Sequence, residues 1–217
     1  MSTAGCGQTE LLAFIGFVLL VSLSGVLLPG PMTAATLVRS YTDKWAGLKV
    51  AVGHAVVEFP LFVIIALGSA VFFQQNQSIV LAIGVIGGAY LLYFGYTLLM
   101  KKDSFDVKEG SPMITGSAIV LGITTTLFNP AFILWWVTLG AFVVTEALTF
   151  GVAILVMIWF IHWLTDFVWG IAISFGVQKV KQYYASQLKK IIRYGCAALI
   201  LVFGVYFLAS SIWTLAS

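Results

Sequence analysis

Two histidines and two carboxylates interrupt stretches of this chain that are otherwise apolar. His54 is followed four residues later by Glu58 and then Phe59, and His162 is followed four residues later by Asp166 and then Phe167. On a helix, a spacing of four puts both members of a pair on one face. Histidine changes charge near neutral pH, so an imidazole and a carboxylate sharing a cavity can pass a proton. The same four groups would also form a ligand set for a borderline divalent metal if the two segments touched. The bland alternative is a pair of structural hydrogen bonds between helices. Acids inside apolar spans are costly, and they face a cavity or a partner rather than lipid.

Two further features lie close to chemistry. Pro29-Gly30-Pro31 puts two prolines and a glycine inside an uncharged run, and Asn129-Pro130 interrupts another. A proline in a helix interior removes one hydrogen bond and clashes with the preceding turn. In lipid, the carbonyls so freed must find partners in protein or a water-filled cavity. Asn129 before Pro130 has the form of an N-cap followed by proline at the first helical position. A half-helix starting there would turn its positive end to the bilayer interior, which suits a substrate carboxylate. Trp135 and Trp136 follow within two turns and can line a substrate path or simply pack. A packing kink is the plain alternative for both breaks.

The elements that must carry these residues follow from composition. Of 217 residues, 61% are apolar and 9% are charged, with a mean hydropathy of +1.06. Soluble domains carry about a quarter of their residues as charged ones. A crossing needs roughly 20 apolar residues, and six stretches qualify: 11–38, 50–73, 79–100, 114–145, 147–177 and 194–217. The expected fold is all-α, a single membrane domain over 1–217 with six transmembrane helices. No Lys or Arg precedes the first stretch, so it is expected to be retained rather than cleaved as a signal peptide.

Charge sets the orientation. Arg39, Lys44 and Lys49 surround the first connection, Lys101, Lys102 and Lys108 the third, and Lys179, Lys181, Lys189, Lys190 and Arg193 the fifth. Cytoplasmic loops collect Lys and Arg, which puts the odd connections inside and both termini outside. The net charge of +3 is thereby accounted for by topology, and no nucleic-acid partner is expected. Three spans on each side of the central loop divide the chain into halves, 1–105 and 106–217, of opposite orientation. A 3+3 inverted repeat with a site near the midplane is a common plan for secondary transporters. Both halves begin with a proline-broken span and continue with a His/acid span. By rise per residue, Glu58 lies roughly 14 Å beyond Lys49 and Asp166 roughly 15–20 Å before the fifth connection, so a shared site is feasible.

Some features carry less. Gly84 and Gly88 have the spacing of close helix approach, Trp213 suits an interfacial anchor, and Cys196 reads as a small apolar residue. Cys6 and Cys196 form no CxxC pair. A membrane zinc protease would need an HExxH helix, which is not present, and a thiol-reductant carrier would need a cysteine in each broken span. Neither 11–38 nor 114–145 holds one, so an enzyme is not expected and no cofactor is implied.

Taken together, Pro29-Gly30-Pro31, Gly53-His54 through Glu58, and Asn129-Pro130 followed by Ala131-Phe132-Ile133-Leu134-Trp135-Trp136 resemble the lysine exporter family of translocators (LysE/RhtB type). The resemblance covers essentially the whole chain. It implies export of amino acids or related small zwitterions and cations, in exchange for protons. The lack of a transit peptide and the simple loops suit a prokaryotic plasma membrane. The partners implied are the small-molecule solute, protons and the bilayer, with a homodimer left open. On this reading Pro29, Gly30, Pro31, Asn129, Pro130 and Trp135 bind substrate, while Glu58, Asp166, His54 and His162 meet its ammonium or the proton. The His/acid pairs are not a feature of the amino-acid exporters generally. The wider superfamily includes divalent-metal exporters, which keeps His54, Glu58, His162 and Asp166 open as metal ligands.

Overall fold

The computed structural model describes residues 3–27, 30–69, 76–100 and 116–216. Every regular element among them is helical: α1 (Thr3–Leu27), α2 (Pro31–Ser40), α3 (Ala46–Ile64), α4 (Gln77–Met100), α5 (Ala118–Leu127), α6 (Pro130–Trp135), α7 (Ala141–Thr149) and α8 (Val152–Ala216). Two wide π-helical turns, Ile65–Ser69 and Trp136–Gly140, extend α3 and join α6 to α7.

Both expected breaks are present. The run 11–38 is divided into α1 and α2, with Gly30 extended before Pro31, the first residue of α2. Pro29 lies outside the described residues. The run 114–145 is divided at Asn129, whose side-chain oxygen accepts the amide N–H of Ala131 at 3.2 Å, with Pro130 as the first residue of α6. Proline suits both positions because its missing N–H is unpaired at a helix start in any case.

Among the described residues, five segments are long and apolar enough to cross a membrane: Thr9–Leu27, Ala46–Gly68, Pro130–Thr149, Val152–Leu188 and Lys190–Thr214. Large apolar side chains on these helices, among them Leu12, Leu20, Val56 and Val202, are exposed. This is an inside-out surface for water and an ordinary one for lipid. α4 has 24 residues and includes the apolar stretch Gly84–Met100.

The boundaries differ from the expected ones in three places. The second stretch begins four residues earlier, at Ala46, because Asp43 anchors the turn before it. Its carboxylate accepts the N–H of Trp45 at 2.9 Å and pairs with Lys49 at 2.7 Å. The separation expected at Glu146 instead falls at Phe150–Gly151, where Gly151 takes φ +104°, a conformation that costs glycine little. The basic connection between the last two stretches is helical, carried inside the 65-residue α8 and bent at Tyr184 (φ −133°, ψ 40°). Lys and Arg are good helix formers, so a basic run need not be a loop. Lys101, Lys102 and Lys108 lie outside the described residues.

Small residues set the packing between the helices. α4 runs antiparallel to the second arm of α8, with Gly84 against Ser211, Gly88 against Gly204 and Leu208, and Gly95 against Ala197 and Leu201. α3 crosses α5 with backbones nearly touching at Gly53 and Gly122. α3 also crosses the first arm of α8 where Gly47 faces Gly170, and there the Gly47 N–H donates to Ser174 Oγ at 2.6 Å. These crossings bring α3 and α8, which carry the two His/acid pairs, side by side.

Candidate functional site

Each pair begins on one face of its own helix, as the four-residue spacing requires. Glu58 Oε1 lies 3.4 Å from His54 Nε2 one turn before it, and Asp166 Oδ2 lies 3.9 Å from His162 Nε2. The α3–α8 crossing then puts the pairs in contact with each other. His162 Nε2 is 2.9 Å from Glu58 Oε1, and His54 Nε2 is 3.9 Å from Asp166 Oδ2. Imidazole nitrogens and carboxylate oxygens alternate around a closed ring of four.

All four residues are buried, Glu58 completely so at 0% exposure. Glu58 Oε2 and Asp166 Oδ2 have no hydrogen-bond partner among the described residues. A buried carboxylate oxygen left in this state is expensive unless a proton or a cation visits it. Net charge decides which species the ring accepts. Two ionised carboxylates cancel against two imidazolium ions, or against one imidazolium and one monocation, or against one divalent cation with both rings neutral. Trading one such set for another leaves no net charge in a low-dielectric interior.

The other face of each ring is also fixed. His54 Nδ1 is 2.9 Å from Thr126 Oγ1 on α5, and His162 Nδ1 is 2.8 Å from Ser22 Oγ on α1. Phe132 of α6 meets the His54 ring edge-on with centroids 5.1 Å apart. Trp135 stacks on His162 at 5.0 Å and 23°, and Trp136 meets the same ring edge-on at 5.3 Å. The half-helix that starts at Asn129 and Pro130 therefore covers both histidines. Beside His162 lies a narrow, mostly apolar cavity lined by Val18, Ser22, Phe62, Trp135, Trp136 and Trp159, on the side of the ring away from the basic connections.

The family of this chain is decided by its sequence. Residues 23–211, most of the chain and all four members of the ring, match the model of the LysE type translocators. The chain belongs to that family. As a LysE type translocator it transports small molecules, and it is a multi-pass membrane protein. No curated protein and no solved structure matches it.

Not every residue expected at this translocator's site joins the ring. His54, Glu58, His162 and Asp166 converge, and Trp135 stacks on His162. Asn129 caps α6 one turn before Phe132, and its N–H partner lies within that helix. Pro130 packs on Gly87 of α4. Gly30 and Pro31 make none of the ring's described contacts. α2 instead places Ala34, Ala35 and Val38 in a core with Leu91 and Leu121. Ser22, Thr126 and Phe132 touch the histidines without having been singled out in the sequence. A serine or threonine in an apolar helix ordinarily bonds its own preceding turn, and nothing in the spacing of these two shows a partner on another helix.

Proposed function

We propose that this translocator exports amino acids or related small zwitterions and cations from a prokaryotic cell by proton antiport, with the His54–Glu58–His162–Asp166 ring as the exchange site. One observation carries this reading: two buried carboxylates, one from each half of the chain, face two titratable imidazoles and no Lys or Arg among the described residues. Protons on the histidines and the ammonium of the solute then compete for the same carboxylates. Protons entering from outside displace the solute, and loss of those protons to the cytoplasm readies the site again. The reading places the chain in the plasma membrane as one domain with six crossings, α4 being the third, and with both termini outside. Its halves are inverted repeats. The reciprocal bonds, from the histidine of each half to a hydroxyl in the broken span of the other, support that symmetry. Gly30, Pro31 and Asn129, together with Pro29, frame the solute path at the two breaks, and Trp135 forms its wall.

A specific observation favours a second reading, transport of a divalent transition metal. His54, Glu58 and Asp166 each offer a ligand atom within 4.8 Å of the others. Two hydroxyls hold the far nitrogens of the imidazoles, as the outer partners of metal-bound histidines do. Thermal unfolding of the purified protein with each common amino acid, and separately with Zn²⁺, Ni²⁺, Co²⁺ and Mn²⁺, separates the two readings. A ligand present well above its Kd stabilises by about 3 kcal/mol. The first reading expects stabilisation by one or more amino acids that Asp166→Asn removes. Stabilisation by metal alone supports the second. A shift that Asp166→Asn leaves intact counts against both.

A further inference from the structure

Ser22 and Thr126 differ from the hydroxyl residues around them. Thr124 and Thr125 donate back to the carbonyl of Leu121, and Ser24 to that of Val21, as such side chains do in apolar helices. Ser22 and Thr126 instead face His162 and His54 at 2.8 and 2.9 Å, both almost fully buried. Thr126 is the second-last residue of α5, immediately before the Asn129 break. Ser22 lies in the closing turns of α1, before the break that precedes α2.

We infer that Ser22 and Thr126 are positioning residues of the exchange site, each holding one Nδ1 so that Nε2 is the nitrogen that loads and unloads, and each tying the ring to a broken span of the opposite half. The inference rests on the proposed role of the ring. A hydroxyl suits the task because its oxygen accepts from an Nδ1–H that stays in place whether Nε2 carries its proton or has released it, so the bond survives either state of the ring. With Nδ1 committed to the hydroxyl, only Nε2 faces Glu58 and Asp166. Every charged or titratable group in the described contacts of either imidazole belongs to the ring itself. The remaining contacts are Phe132 on His54, and Trp135 and Trp136 on His162. Either histidine can therefore turn only by breaking a bond to a broken span, and movement of that span turns the histidine.

Two readouts test this in the full-length protein. Thr126→Val keeps shape and loses the hydroxyl, whereas Thr126→Ser keeps the hydroxyl. Ser22→Ala and Ser22→Thr make the matching pair. In proteoliposomes given a radiolabelled mixture of amino acids and a proton gradient, loss of either hydroxyl is expected to slow exchange about 10-fold, the size of effect seen when an outer partner of a working histidine is removed. The hydroxyl-retaining variants are expected to exchange close to the parent rate. Side-chain ¹⁵N shifts of labelled histidine supply a readout independent of transport. At a pH high enough that the rings are neutral, Thr126→Val should turn the single Nδ1–H tautomer of His54 into a mixture while leaving His162 unchanged, and Ser22→Ala should do the reverse. Unchanged ¹⁵N signals, an unchanged exchange rate, or a Thr126→Ser variant as slow as Thr126→Val would each overturn the proposal. Exchange retained in Glu58→Gln would count instead against the ring as the exchange site, whatever the tautomers show.

Discussion

Glu58→Gln is expected to stop the proposed proton-driven exchange while leaving the protein folded. Glu58 has no exposure, and among the described residues its Oε1 is the one carboxylate oxygen within 3.5 Å of both imidazoles, at 2.9 and 3.4 Å. Glutamine keeps the shape of the side chain and can still accept from a histidine N–H, so helix packing has no reason to change. It carries no charge and takes up no proton. The ring is then left with one carboxylate for two imidazoles, and the balance between protons and solute cation is lost. Removing an oriented proton-transfer group costs about 100-fold or more in rate, and a drop of that size in exchange is expected. Transport assayed with and without a pH gradient, beside thermal unfolding of the same preparation, checks it. A variant that is folded and fully coupled refutes the role given to Glu58. Asp166→Asn is expected to act in the same direction.

The second large effect is structural and falls one residue before His54. A Cβ on Gly53 would stand 2.0 Å from the carbonyl oxygen of Ile119, and one on Gly122 would stand 2.2 Å from that of Val50. The backbones of α3 and α5 meet here, with no flexible side chain that can give way. Gly53→Val forces the two helices apart. Overpacking costs typically 1–3 kcal/mol, occasionally more, and rigid backbone on the far side puts this case at about 3 kcal/mol or above. The separation also pulls Thr126, one turn beyond Gly122, away from His54, so any protein that does fold should exchange slowly. The control is Gly176 on α8, where an added Cβ meets nothing within 4 Å. There Gly→Ala should be neutral or stabilise by up to about 1 kcal/mol through helix propensity. Thermal unfolding in detergent compares the two. Equal melting temperatures for Gly53→Val and the parent would show that the crossing is looser than the structure has it.

What could be read from the sequence divides along physical lines. The breaks at Gly30-Pro31 and Asn129-Pro130 were legible because proline and an N-cap act locally, within one turn. The pairing of His54 with Glu58, and of His162 with Asp166, was legible for the same reason, since a spacing of four fixes a shared face. That the two pairs close into one ring depends on how α3 crosses α8. The small residues that allow the crossing, Gly47 and Gly170, carry no sign of which helix they meet. Ser22 and Thr126 were invisible on the same account. The helical basic segment within α8 was misread because Lys and Arg mark the side of the membrane without specifying a loop. The division at Phe150–Gly151 was misplaced because Glu146 was taken as a separator, although a single charge does not end a helix and a glycine at positive φ does.

The movement of protons against solute tests the central claim most directly. Proteoliposomes loaded with a pH-sensitive dye, held at equal pH inside and out, are given an inward gradient of whichever amino acid stabilises the purified protein most. The ring predicts that protons leave the vesicles as the amino acid enters, and that Glu58→Gln abolishes both fluxes together. Amino-acid entry with no proton movement in the parent protein, or proton movement in the Gln variant equal to that of the parent, would contradict it.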